Sequence, residues 1–145
     1  MKKKLAILGK LDTKFKAPFE NLNYDIWGFN YHKIMPYRYT LWFDLHIKNP
    51  NPISDITREN FPFDECVKLL GGNYFNNTVS YLIAYAILKG YKEIELYGMR
   101  FYNDKESRKG ERQNVRELIF FAKGKGVKIS APYDEILLND YPVYC

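Results

Sequence analysis

Two histidines are present, and the second, His46, stands two residues after Asp44 at the end of the run Tyr39-Thr40-Leu41-Trp42-Phe43-Asp44-Leu45-His46. Residues two apart on an extended chain share a face, so this carboxylate and this imidazole point the same way. Two uses are open to them. His46 can act as acid or base with Asp44 orienting it, or both can pack and hydrogen-bond against a helix. No serine or cysteine nucleophile motif accompanies them, and no acidic pair has the spacing of a metal site, so neither a metal nor another cofactor is implied. A second set of residues suits anions. Gly9 and Lys10 with Thr13 follow one apolar run, Asn30 follows another, and Gly98, Met99 and Arg100 follow a third, with Arg112 further on. Trp27 and Trp42 add flat faces for a base, as do Tyr31, Tyr37, Tyr39, Tyr74, Phe75 and Tyr102.

Chemistry of this kind needs elements that bring the groups together. Lys4–Gly9, Asp25–Asn30 and Tyr39–His46 are short apolar runs ending in glycine or polar residues, the form of strands buried on both faces. Phe63–Leu70 has the three-and-four spacing of a short helix stopped by Gly71 and Gly72. A longer, almost wholly apolar helix follows from Val79 to Lys89, capped by Asn76-Asn77-Thr78 and closed by Gly90. Lys92–Gly98 is the next strand, Glu111–Lys123 the next helix and Val127–Ser130 the last strand, with a closing helical turn at Asp134–Leu138. The connection from Asn49 to Phe63, with three prolines, is a surface loop. Strands alternating with helices predict an α/β fold: a small Rossmann-like three-layer sandwich on a mainly parallel sheet of about five strands, in one domain spanning residues 1–145.

In such sheets ligands collect beyond the carboxyl ends of the strands. Gly9, Lys10, Thr13, Asn30, His46, Gly98, Met99 and Arg100 would share that edge with Trp27 and Trp42. The start of the long helix at Asn77 and Thr78 would offer backbone N–H groups, with Ser80 joining them, or would simply be capped. The polar stretch from Arg100 to Arg112 is long enough to fold over a ligand as a lid, and equally serves as a surface tip.

Composition narrows the classes. The 145 residues are 46% hydrophobic and 17% aromatic, which argues for a packed core and against disorder. The longest apolar run, Val79–Leu88, is about half the length that crosses a bilayer, and the Met-Lys-Lys-Lys start has no cleavable apolar segment behind it, so neither membrane insertion nor export is expected. Two cysteines make no disulfide framework, which points to a reducing, cytoplasmic location. A net charge of +5 suits an anionic partner and equally suits ordinary solubilising lysines. The many tyrosines and phenylalanines allow a homo-oligomer face.

Four phrases, Ile26-Trp27-Gly28-Phe29-Asn30, Trp42-Phe43-Asp44-Leu45-His46, Asn77-Thr78-Val79-Ser80-Tyr81 and Glu93-Ile94-Glu95-Leu96-Tyr97-Gly98-Met99, resemble small Rossmann-like proteins of bacteriophages and prophages. Those are similar in turn to the Rossmann part of sialyltransferase-like and flagellin-modifying glycosyltransferase-like families, in which a glycine-rich first turn and an asparagine after strand two face a nucleotide sugar. Gly9 and Asn30 match these places, whereas Gly9-Lys10-Leu11-Asp12-Thr13 departs from the Gly-x-Gly-Pro-Ser turn of the transferases. The resemblance implies a protein of a bacterial cytoplasm. The leading expectation is a phage-encoded binder of a nucleotide-type anion that sequesters a host defence signal, with Lys10, Arg100, Arg112 and the Asn77 helix start on phosphates. The alternative is an enzyme acting on a nucleotide or nucleotide sugar through His46 and Asp44. Nucleic-acid binding ranks last, because Asp104, Glu106 and Glu111 interrupt the basic stretch.

Overall fold

The structure, a computed structural model, describes residues 2–99 and 106–134, without the side chains of 106–109. Its elements are β1 (Lys4–Leu8), a 3₁₀ turn (Asp12–Lys16), β2 (Tyr24–Phe29), β3 (Leu41–Asp44), β4 (Ile56–Thr57), α1 (Phe63–Leu70), α2 (Thr78–Leu88), β5 (Glu93–Tyr97), α3 (Glu106–Gly124) and β6 (Lys128–Ser130). The six strands form one sheet in the order β4-β3-β2-β1-β5-β6. Every pairing is parallel, with Ala6 opposite Ile26 on one side of β1 and opposite Glu95 on the other. The fold is therefore α/β on a parallel sheet, as the alternation of runs implies. The additional strand, β4, lies inside the proline-rich connection, where two residues are too few to show a pattern of their own.

The pleat sorts the strand residues into two cores. Leu5, Ile7, Trp27, Phe43, Ile94 and Leu96 face the helices, where they meet Val79, Leu82 and Ile83 of α2 and Val115, Leu118 and Ile119 of α3. Helix α2 is apolar almost all round because it packs against the sheet with α1 and α3 beside it. Each fully buried leucine or isoleucine there contributes roughly 1.5–3 kcal/mol. Ala6, Leu8, Ile26, Trp42 and Tyr97 line the opposite face, and the layer over them is thin: the 3₁₀ turn and loops, through Ala17, Phe19, Ile34 and Tyr39.

Tyrosines bind the strands together at both faces. The hydroxyls of Tyr24 and Tyr97 both donate to the carboxylate of Glu95, and the Tyr91 hydroxyl donates to Asp25. Burial first, and then these hydrogen bonds to carboxylates, push the Tyr24 phenol up to about 12 and raise those of Tyr91 and Tyr97 as well. A phenol that ionises later in the folded state than in the unfolded chain stabilises the fold fully below the unfolded pKa of about 10, and that contribution is lost as pH rises through the folded value. The melting temperature is accordingly expected to fall steeply above about pH 10, with a smaller slope for Tyr24→Phe. Melting curves that stay level to pH 11 would remove these three phenols from the account.

Two expected features lie partly outside the described residues. α3 starts at Glu106, so the second half of the stretch foreseen as a lid is helix, while residues 100–105 lie outside the described residues. Of the closing turn at Asp134–Leu138, Asp134 is described, and its carboxylate accepts the Met99 N–H at 2.7 Å. The rest of that turn lies outside the described residues.

Candidate functional site

Because every strand runs the same way, Gly9, Asn30, Leu45, Arg58, Gly98 and Ala131 all leave the sheet at one edge. The chain turns from β1 toward β2 on one side and β5 on the other, so the order reverses between β1 and β5. That junction is tightly closed. A Cβ on Gly9 would lie 2.5 Å from the Gly98 carbonyl oxygen, and one on Gly98, whose φ is +72°, would lie 2.9 Å from the Leu11 oxygen. The Gly9 N–H donates to Tyr97 and the Leu11 N–H to Gly98, which ties the first turn to the end of β5. The two glycines are needed for backbone approach, and a ligand must rest over this junction rather than within it.

Open polar chemistry lies one and two strands away, past β2 and β3. Asp44 is fully buried, and Oδ1 accepts the His46 backbone N–H at 3.0 Å and approaches His46 Nδ1 at 2.6 Å. Oδ2 accepts the Asn51 backbone N–H at 2.8 Å. A carboxylate only accepts, so Nδ1 carries the proton toward Asp44 and Nε2 is turned away from it. The His46 side chain is 58% exposed, which leaves Nε2 as the nitrogen open to a ligand.

The same loop reaches back to β2. Asn51 Nδ2 donates to the Asn30 carbonyl at 2.8 Å, Trp42 Nε1 donates to that oxygen at 2.7 Å, and the Tyr31 hydroxyl donates to the Asn49 carbonyl at 3.0 Å. Asn30 itself is left-handed, with φ +58°, a conformation asparagine tolerates better than most residues. Its side-chain Oδ1 is buried without a partner, and so is the Thr13 hydroxyl after β1.

The tryptophans have different work from base stacking. Trp27 is 1% exposed and packs among Phe43, Tyr85 and Tyr91, with ring centroids 4.9, 5.5 and 5.4 Å away. Trp42 is 2% exposed, lies across Gly28 and is held by Asn30. Both are core. The exposed aromatic next to Asn30 is Tyr31.

The Asn77 helix start is likewise occupied. Its Oδ1 caps the Ser80 N–H at 3.0 Å, while Nδ2 donates to Ser80 Oγ and to Asn114 Oδ1. Asn114, buried in α3, also accepts the Asn76 N–H and donates to the Tyr74 carbonyl. These asparagines brace α2 against α3, Ser80 is fully buried beneath them, and Thr78 is the half-buried first residue of the helix. Met99 is 1% exposed, with its side chain in the core. The side chains of Asn77 and Ser80 are spent on each other, and Met99 is covered.

Lys10 is exposed beside the junction, and its carbonyl accepts from the ammonium of Lys14, a lysine that is itself buried. Arg112 stands in the first half of α3, near the α2 start, since Asn76 and Asn77 donate to Gly110 and Glu111 there. Arg100 lies outside the described residues. Sequence reasoning missed Asn51. It sits in the proline-rich connection, and nothing in the composition of that loop shows that it folds back over β2 and β3.

Among the described residues, no helix is long and apolar enough to cross a membrane. Comparison with protein families finds no match, and no curated protein matches. Solved structures do. A sialyltransferase CST-II in complex with CMP is 15% identical with a TM-score of 0.57, the match covering 97% of this chain and 90% of that one. An alpha-2,3/8-sialyltransferase CstII variant aligns over the same shares at 15% identity and a TM-score of 0.56. CstII from Campylobacter jejuni in complex with the substrate analogue CMP-3FNeuAc gives 15% identity and a TM-score of 0.52, covering 97% of this chain and 89% of that one. At this identity the likeness is one of fold: the chain carries a sialyltransferase-like arrangement of strands and helices.

Proposed function

We propose that the carboxyl edge of the sheet holds a nucleotide or nucleotide sugar, and that His46, oriented by Asp44, works on it as acid or base in glycosyl transfer or nucleotide cleavage. The observation that carries this reading is the buried Asp44 carboxylate gripping Nδ1 of an imidazole whose other nitrogen is open at the ligand edge. In that geometry Nε2 takes the proton of an attacking hydroxyl or water as the new bond to carbon forms. The phosphate leaves with the electrons of the old bond. The nucleotide class is supported by the fold-level neighbours, which were solved with CMP and CMP-3FNeuAc. With both tryptophans in the core, the base would rest against the exposed Tyr31.

Incubation with CMP-linked and other nucleotide sugars, followed by liquid chromatography, is expected to show a released nucleotide. His46→Ala is expected to slow release by about 10²- to 10⁴-fold, the usual contribution of a positioned acid or base, while leaving the melting temperature close to that of the parent. A nucleotide that binds and returns intact from the unmodified protein favours a holding protein, such as one that sequesters a defence signal. Binding of no nucleotide at all overturns the reading.

A further inference from the structure

The 3₁₀ turn after β1 carries the one buried cation among the described residues. Lys14 is 6% exposed, and its backbone N–H donates to the Leu11 carbonyl at 3.0 Å, while the Leu11 N–H donates to Gly98. A Cβ on Gly98 would lie 3.1 Å from the Lys14 Cβ, so the stem of this lysine packs against the junction of β1 and β5. Its ammonium donates to the carbonyl of Lys10, the exposed residue just past Gly9, at 3.0 Å, and lies 5.1 Å from the centre of the Phe15 ring.

Lysine is almost never buried without an opposite charge, because its ammonium gives up water on entry. Among the described residues, the ion pairs are Lys4 with Glu93 and His46 with Asp44, and neither includes Lys14. Burial lowers the pKa of the ammonium, and the charge of Asp12 opposes only part of that push. The Lys10 carbonyl takes one of three N–H donors and brings no formal charge.

The cation also stands on the same side of the sheet as the imidazole. The 3₁₀ turn, with Ala17 at its end, covers the face that carries Leu8 and Trp42. Side chains alternate along a strand, so Asp44, two residues after Trp42, points to that face and holds the His46 ring there. Lys14 and His46 thus share one edge and one face, past β1 and β3, with β2 between them. Adjacent strands are about 4.8 Å apart, so roughly 10 Å separates β1 from β3, a span that the phosphate and sugar of a nucleotide cover.

We propose that Lys14 supplies the positive charge for the phosphate of the ligand on which His46 acts. This rests on the nucleotide-site reading above and adds the phosphate end of that site. The anion provides the opposite charge that the folded chain lacks, and it accepts from the N–H donors that the Lys10 carbonyl leaves over.

The test is calorimetric binding of inorganic pyrophosphate, the common ribonucleoside monophosphates and their nucleosides to the parent and to Lys14→Met, with a thermal melt of each protein. Methionine keeps an unbranched apolar stem and removes the charge. The variant is expected to bind pyrophosphate and the preferred monophosphate about 10- to 100-fold more weakly, to bind the nucleoside as the parent does, and to melt no lower than the parent. If the parent binds a nucleotide and Lys14→Met binds it equally well, the inference fails and the nucleotide site stands. If the parent binds none of the nucleotides but holds pyrophosphate in a Lys14-dependent way, the anion site stands and the nucleotide reading fails. Binding of neither overturns both. A lower melting temperature with unchanged affinities makes Lys14 a structural tie to Lys10 and overturns the inference. Should Lys14→Met not fold, the parent alone decides: saturating pyrophosphate is expected to slow acetylation of Lys14, read by peptide mass spectrometry, and an unchanged rate overturns the inference.

Discussion

Replacing Asp44 with alanine is expected to remove catalysis and about 3 kcal/mol of stability in a single change. The carboxylate is fully buried and accepts from two backbone N–H groups and one imidazole, so its loss strands the Asn51 and His46 amides and frees the ring together. Buried donors left without a partner cost roughly 1–3 kcal/mol each, and the loop they hold also carries the Asn51 side chain that pins it to Asn30. Asp44→Asn separates the two roles. An amide can accept on one side only, so its NH₂ must face either His46 or the Asn51 amide, both of them donors. If its oxygen stays toward His46, the ring remains oriented while the loop loosens. Turnover and thermal melts of Asp44→Ala, Asp44→Asn and His46→Ala, read side by side, check this. A stable Asp44→Ala with full activity removes the pair from the mechanism.

The second large effect belongs to a residue with no chemistry. Gly28→Ala would place a Cβ 2.2 Å from the indole ring of Trp42, a separation that no small adjustment relieves. The ring cannot retreat, because Trp42 is buried against Tyr39 and its Nε1 is fixed on the Asn30 carbonyl. Overpacking of this kind costs typically 1–3 kcal/mol, and with the indole hydrogen bond lost as well the total is expected at about 3 kcal/mol or more. The damage should extend to ligand binding, since displacing Trp42 frees the left-handed Asn30. Denaturant titration of Gly28→Ala measures the cost, and a variant within about 0.5 kcal/mol of the parent would show that the indole has another place to go.

These two cases also show where sequence reasoning ends. The strands and helices were legible because burial on both faces and the 3.6-residue period write themselves into local order: Phe63–Leu70 is helical at those very bounds, and Lys4–Leu8 is a strand. Asn30, Asp44 and His46 were legible as edge residues for the same reason. The role of the tryptophans was not. An indole at the end of a strand has the same pattern whether it faces a ligand or a neighbouring strand, and only the glycine paired with Trp42 across the sheet decides it. Asn77 was legible as a cap, but its grip on Asn114 depends on the packing of α2 against α3. Asn51 was invisible, because loop closure across β2 and β3 leaves no periodic trace.

The place of β1 in the middle of the sheet governs how the molecule assembles. Its two neighbours come from near the start of the chain and from well past its midpoint, since Leu5 pairs with Asp25 on one side and Ile94 on the other. A nascent chain can zip β1 to β2 and β3 early, but the junction of Gly9 with Gly98 waits until β5 has emerged, and the entropy of closing that long loop is met only then. Fragments that stop short of β5 therefore carry His46 and Asp44 on a half-sheet whose central strand has an open, aggregation-prone flank.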